Sequence, residues 1–135
     1  MRRPNWRPRE KWFVQEFSAW CSRFGCYLVD IPDAIVSRGQ VVIREKQRPA
    51  DSVLITPTAL YLIEFKVGGV TQSDHQRLRE KIYNNINPNA YYVIRKWQQK
   101  RNGRLNDCYD IKQNGELVAR LASIQEVVNY FKELL

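Results

Sequence analysis

The chain is poor in the residues that build disulfide and zinc sites. Its 135 residues include one histidine, His75, and three scattered cysteines. Cys21, Cys26 and Cys108 form no Cys-x-x-Cys pair, which argues against a disulfide framework and against a zinc site. A single histidine also excludes a histidine-rich metal centre. We therefore predict a reduced, cytoplasmic protein.

Long apolar runs are also missing. No stretch approaches the roughly 20 apolar residues that a membrane-spanning helix needs. The N-terminus is basic but lacks the apolar segment of a signal peptide. We therefore expect no membrane partner.

Acidic residues are in the minority. There are 14 Asp and Glu against 22 Lys and Arg, so the net charge is +8. A small domain this basic is typical of proteins that bind a polyanion, most often DNA or RNA. The alternative is a basic protein whose charge serves only solubility.

The length suits a single compact domain. We predict a basic N-terminal arm at residues 1–8 and one domain at residues 9–135. Arg2, Arg3 and Arg7 surround Trp6 in the arm, and its two prolines disfavour a helix. The arm is interpreted either as a disordered tail or as a segment that contacts phosphates.

Hydrophobic spacing predicts an α/β fold with a mixed central sheet flanked by helices. A basic loop is predicted at residues 95–104. The Asn114-Gly115 turn predicts a C-terminal hairpin, and Ser123 with Glu126 predicts the capping box of a helix. Helices are predicted at residues 9–24, 71–86 and 124–134, and strands at 26–31, 41–43, 52–55, 60–66, 90–94, 109–112 and 116–119.

The most informative residues lie in the two strands that follow residue 50. Glu64 and Lys66 are two apart in a strand and therefore point to the same side, whereas Phe65 points to the other. Asp51 begins the preceding strand, and a hairpin would bring its carboxylate beside that of Glu64. Two carboxylates with a backbone carbonyl form an oxygen-rich site that suits Mg²⁺ or Mn²⁺. A lysine ammonium beside the metal would orient the water that attacks a phosphate.

Glu64 and Lys66 have a simpler interpretation as a solvated pair at a strand end. The continuously apolar run before them, residues 60–63, instead predicts an internal strand. Charges buried in such a strand need partners or a metal.

From about Arg9 onward the chain resembles the PD-(D/E)XK nuclease superfamily. The signature of that superfamily is Pro-Asp at a strand start, a hairpin, and Glu-x-Lys in the next strand. The matching residues here are Ala50-Asp51 and Glu64-Phe65-Lys66. Alanine replaces the proline, which serves backbone geometry rather than metal binding. The layout is most similar to VRR-NUC (virus-type replication-repair nuclease) domains, with Holliday-junction resolvases close behind.

This resemblance implies a restriction-endonuclease-like core of order α-β-β-β-α-β, followed here by a hairpin and a helix. It implies Mg²⁺ or Mn²⁺ held by Asp51, Glu64 and the backbone carbonyl of Phe65. Lys66 would position the attacking water. The segment 96–116 has no counterpart in the family layout.

Two helices would add further residues to the site. The family carries a glutamate near the start of the first helix, which Glu10 matches, and Glu16 is a competing choice. Glu10 would bind the metal through water or bind a second ion. The helix after Glu-x-Lys contains a glutamine, matched by Gln72 or Gln76, and Gln76 would orient the lysine or touch phosphate. We interpret His75 as a core or edge residue.

DNA contacts would come from the basic segments around the site. Trp6 and Trp97 are candidates either for stacking on an exposed base or for packing. The predicted phosphate-contacting residues are Arg38, Arg44, Arg48, Lys96, Lys100 and Arg101.

We therefore predict a metal-dependent DNA endonuclease of bacterial or phage origin. It would select branched, flapped or junction DNA in replication, repair or recombination. Symmetric cutting of a four-way junction would require a homodimer. The alternatives are a sequence-preferring restriction or transposon-type endonuclease, a catalytically inactive DNA-binding subunit with the same fold, and an RNA-binding protein without hydrolytic activity.

Overall fold

A computed structural model of the chain describes residues 6–31, 34–38, 41–45, 51–68 and 90–134. The side chains of residues 6–9, 34–38 and 41–45 lie outside this description. Helices and strands are both present, so the α/β class is confirmed. The elements within the described ranges are α1 (Trp6–Arg23), β1 (Tyr27–Asp30), β2 (Ala34–Arg38), β3 (Val41–Glu45), β4 (Ser52–Ile55), β5 (Leu60–Val67), β6 (Tyr91–Arg101), β7 (Arg104–Gln113), β8 (Glu116–Leu121) and α2 (Ile124–Glu133).

Helix α1 begins three residues earlier than predicted. Pro8 is its third residue, and a proline is tolerated there because the N–H groups of the first turn have no partner within a helix. The helix ends at Arg23, one residue before the predicted end. Gly25 adopts a left-handed φ of 73°, and Cys26 N–H donates to the Cys21 carbonyl at 2.9 Å. This is the Schellman arrangement that closes a helix. Residues 1–5 of the predicted arm lie outside the described residues.

Six strands form one mixed sheet in the order β1-β4-β5-β6-β7-β8. Only β5 and β6 run parallel among these neighbours. Parallel neighbours need a crossover of a dozen or more residues, and residues 68–90 separate the two strands in the sequence. The predicted helix at 71–86, with Gln72, His75 and Gln76, lies outside the described residues. Strands β2 and β3 pair with each other in a second sheet.

The prediction of a basic loop at residues 95–104 is wrong. Strand β6 continues to Arg101, and β7 starts at Arg104. The two strands are joined by Asn102 and Gly103, whose φ angles are 51° and 74°. Two positive φ angles are what a tight hairpin turn requires. The predicted hairpin through Asn114-Gly115 is confirmed as β7–β8.

Helices α1 and α2 pack on the same face of the six-stranded sheet, which we call the helix face. Phe17 of α1 meets Phe65 of β5 edge to face at 5.3 Å between ring centroids. Phe131 of α2 meets Tyr92 of β6 in the same way at 5.1 Å. Such pairs stabilise a core by about 0.5–1.5 kcal/mol each beyond their buried area.

The opposite face of the sheet, which we call the second face, carries the charged residues of interest. Ile63 and Phe65 belong to the core under the helices, so alternation along β5 turns their neighbours the other way. A smaller buried cluster lies there around Tyr91 and Val93. The side chains of β5 on the second face are Leu62, Glu64 and Lys66.

The capping prediction for α2 is confirmed, with one difference. The Ser123 hydroxyl accepts from Glu126 N–H at 3.3 Å. The Glu126 carboxylate reaches back to Ala122 N–H at 2.8 Å, one residue before the capping serine. Neither described helix is long and apolar enough to span a membrane. Cys21, Cys26 and Cys108 are free thiols, as predicted.

The β4–β5 hairpin offers a matched test of the core. Leu54 is fully buried, whereas Leu60 is 62% exposed. We expect Leu54→Ala to lower the free energy of unfolding by about 2–5 kcal/mol because it removes buried methyl groups and leaves a cavity. Leu60→Ala should change it by less than about 1 kcal/mol. Urea unfolding of both variants measures the difference, and equal losses would contradict the assignment of the core.

Candidate functional site

The hairpin of β4 and β5 brings Asp51 to the centre of β5. Ser52 pairs with Ile63, so one further step along the ladder places Asp51 opposite Glu64. Asp51 N–H donates to the Ile63 carbonyl at 3.1 Å. The Phe65 N–H donates to Asp51 Oδ2 at 2.9 Å. The Asp51 carboxylate is therefore fixed against the backbone of the residue that follows Glu64.

Glu64 and Lys66 are both buried, with 1% and 5% of their surfaces exposed. Their interpretation as a solvated pair at a strand end is therefore wrong. Glu64 Oε2 accepts a hydrogen bond from the Tyr91 hydroxyl at 2.6 Å. This length is typical of a hydrogen bond to an ionised carboxylate, and such a bond offsets part of the cost of burying the charge.

A row of charged residues crosses the second face next to Glu64. The strand registers place Lys66 beside Arg95, Arg95 beside Asp110, and Asp110 beside Arg120. We call these four residues the charged row. Arg120 donates to both Asp110 oxygens, at 2.8 and 3.1 Å. Arg95 donates to the Gly68 carbonyl at 2.7 Å and so stays near the end of β5.

The Asp110 carboxyl is held ionised by its neighbours. Burial is the largest single effect and raises its pKa. The hydrogen bonds and positive charge of Arg120, with smaller contributions from Trp97 and Lys112, together outweigh burial and keep the pKa below the ordinary value of 3.8. The buried indole N–H of Trp97 also lowers this pKa, yet it makes no hydrogen bond of acceptable geometry within the described residues. Arg120 is therefore the principal partner of Asp110.

This pKa shift gives a pH-dependent contribution to stability. A carboxyl whose pKa is lower in the folded state stabilises the fold above its unfolded pKa, and the contribution is lost as the pH falls through the folded value. We expect Asp110→Asn to unfold at a lower temperature than the unmodified protein at pH 7 and at pH 5. The difference should shrink below pH 3.8. Thermal unfolding at pH 7, 5 and 3 tests this, and a difference that grows on acidification would contradict it.

The hydrogen bond between Tyr91 and Glu64 has its own test. Tyr91→Phe removes the donor and should lower the free energy of unfolding at pH 7 by about 1.5–3 kcal/mol, as expected for a hydrogen bond to a charged group. Tyr92→Phe is the control, because Tyr92 is an equally buried residue whose hydroxyl makes no hydrogen bond within the described part of the chain. Equal losses in urea unfolding would show that the Tyr91 hydroxyl contributes nothing specific.

The two candidate glutamates of α1 differ in exposure. Glu10 is partly buried near the start of the helix. Glu16 is exposed and lines a cavity of about 500 Å³ on the helix face, together with Trp12, Lys96 and Asp107. Glu16 and Glu64 therefore project on different faces of the sheet.

Three of the predicted phosphate-contacting residues, Lys96, Lys100 and Arg101, have described side chains. Lys100 and Arg101 are exposed near the β6–β7 turn. Lys96 points to the helix face, where its Nζ lies 3.9 Å from an Asp107 oxygen and 5.9 Å from the centre of the Phe13 ring. Arg38 and Arg44 lie on β2 and β3, whose side chains are not described, and Arg48 and Gln76 lie outside the described residues.

Trp97 packs against neighbouring side chains and does not offer an open ring face on which a base could stack. It is partly buried, and the Arg120 guanidinium lies 5.1 Å from its ring centre. The site predicted from the sequence did not include Tyr91, Arg95, Asp110 or Arg120. For Arg95 and Asp110 the signal was the Asn102-Gly103 turn, which would have extended the strands on both sides and placed these two residues in register.

No three His, Cys, Asp or Glu side chains converge as a metal centre within the described ranges. No protein-family model, curated protein or solved structure matches the chain. The geometry of the second face is therefore the basis for a functional proposal.

Proposed function

We propose that the chain is a metal-dependent nuclease that hydrolyses phosphodiester bonds in DNA. One observation carries the proposal. The Asp51 carboxylate is fixed on the Phe65 amide, directly beside the buried Glu64 and Lys66. Carboxylates and a lysine gathered on the second face have the chemistry that phosphodiester hydrolysis needs.

The donor set fits a hard divalent cation. Asp51, Glu64 and the Phe65 carbonyl supply only oxygen atoms, which Mg²⁺ and Mn²⁺ prefer. Two carboxylates are also enough protein ligands for Mg²⁺, which usually keeps several waters. When bound, such an ion would polarise a phosphate oxygen and lower the pKa of a bound water.

The cations of the second face have complementary roles in this proposal. The Lys66 ammonium orients the attacking water and offsets negative charge on the reacting phosphate. Arg95 and Arg120 extend the positive charge away from Lys66 along the charged row. They would hold the phosphates that flank the scissile bond, with an affinity that falls as salt is added.

The order of elements supports a restriction-endonuclease-like core. Helix α1 is followed by β1, β4 and β5, which are antiparallel neighbours, and β6 then pairs parallel to β5. The β2–β3 hairpin is an insertion in this order, and β7, β8 and α2 are the C-terminal additions. We further propose that the nuclease selects branched, flapped or junction DNA. It would cut four-way junctions as a homodimer.

A catalytically inactive nucleic-acid-binding protein is the second candidate. The short hydrogen bond from Tyr91 occupies one oxygen of Glu64, which is consistent with a structural role for this carboxylate. The basic second face would still hold phosphates. This candidate predicts DNA binding that does not depend on a divalent metal.

The deciding experiment is cleavage of labelled four-way-junction, flap and linear duplex DNA with Mn²⁺. We expect cleavage by the unmodified chain, none with EDTA, and none with Asp51→Asn or Glu64→Gln. Lys66→Met should lower the rate by about 10²–10³-fold, as expected when one group that stabilises developing charge is lost. Lys132→Met on α2 removes the same charge away from the site and should cut normally.

The pattern of results separates the candidates. Cutting that persists in Asp51→Asn and Glu64→Gln would reject the site. Binding of all three substrates without cutting by any form of the protein would favour the inactive nucleic-acid-binding protein. Preference for the junction over the linear duplex, with a dimer in solution, would support the resolvase-like form of the proposal.

A further inference from the structure

The β6–β7 hairpin extends beyond both of its neighbours in the sheet. Pairing with β5 ends at Lys96, and pairing with β8 ends at Tyr109. Residues 97–101 and 104–108 pair only with each other in the described part of the chain. We call residues 97–108 the ribbon.

The ribbon has a defined shape. Its register is unbroken from the pair Trp97 and Cys108 to the pair Arg101 and Arg104. The Asn102-Gly103 turn, with two positive φ angles, matches the twist of the strands. Five residues per strand give a length of about 16 Å. At its base, Arg120 lies over the Trp97 ring and ties the ribbon to β8.

The outer part of the ribbon is basic. Residues 98–106 contain Lys100, Arg101 and Arg104 and no acidic residue. Arg101 and Arg104 are exposed and stand directly opposite each other. Like charges in opposed positions of two strands are destabilising, and an anion bound between the two guanidinium groups would relieve their repulsion. Two residues closer to the base of the ribbon, Gln99 pairs with Asn106.

We infer that the ribbon enters the major groove of duplex DNA, with Arg101 and Arg104 bound to backbone phosphates. The inference rests on the DNA substrate proposed above. The major groove of B-form DNA is about 12 Å wide and admits a two-stranded β-ribbon. The major groove of A-form RNA is too narrow for side chains to read. The amides of Gln99 and Asn106 lie on the same face as the two arginines and reach base edges in this arrangement.

Binding in EDTA tests the inference without cleavage. Fluorescence anisotropy would measure the affinity of the full chain for a 24-base-pair DNA duplex and for an RNA duplex of the same sequence. We expect Arg101→Ala/Arg104→Ala to weaken DNA binding about 10- to 100-fold and to lower the slope of log affinity against log salt by about 1.8, which corresponds to two lost phosphate contacts. RNA duplex binding should change less.

The control is Arg23→Ala/Lys132→Ala, which removes two positive charges from the last turns of α1 and α2. It should bind the DNA duplex within about twofold of the unmodified chain. The ribbon variant should unfold at the same temperature as the unmodified chain or higher, because it removes an opposed pair of like charges.

Two results would overturn the inference. One is an equal loss of DNA affinity in the ribbon variant and the control. The other is an equal loss of DNA and RNA affinity in the ribbon variant. The binding assay contains no divalent metal and therefore does not depend on cleavage. A protein that binds through the ribbon here but cuts no substrate in the cleavage experiment would refute the nuclease proposal and leave this inference unchanged.

Discussion

Strand β5 is buried on both faces, and this constraint determines where the charged groups of the protein lie. Phe65 packs against Phe13 and Phe17 of α1 and is fully buried, so its neighbours Glu64 and Lys66 must project from the opposite face. Both are nevertheless almost fully buried. A buried carboxylate needs a polar partner, and Glu64 has one in the Tyr91 hydroxyl on the adjacent strand β6. The fold of the central sheet and the chemistry of the second face are therefore set by one strand.

The charged row shows how the sheet accommodates these groups. Three cations and one carboxylate lie side by side on four strands, and Asp110 is bound by Arg120 in a two-point contact. A carboxylate between Arg95 and Arg120 lessens the repulsion between them. Lys66 and Arg95 lie side by side on β5 and β6, so positive charge is concentrated next to Glu64. An anionic ligand is attracted to such a surface.

The parts of the site that depend on local sequence could be predicted, and those that depend on long-range register could not. Asp51, Glu64 and Lys66 lie in one short hairpin, so strand alternation was enough to group them. The contact of Tyr91 with Glu64 requires the parallel register of β5 and β6, which no local pattern encodes. The Asn102-Gly103 turn was a readable signal, but the basic residues around it also fit a loop. Only pairing along the whole of β6 and β7 reveals the strands.

Strand β6 joins the two functional surfaces. Alternation places Arg95, Trp97, Gln99 and Arg101 on the same side, so the arginines at the ribbon tip share the second face with the charged row. Arg101 lies six residues beyond Arg95 along the strand, which corresponds to about 20 Å. At about 3.4 Å per nucleotide along one strand of duplex DNA, this distance spans about six nucleotides. A single duplex held by the ribbon therefore has the length to reach Lys66 and Glu64, which gives the ribbon a positioning role for the proposed cleavage site.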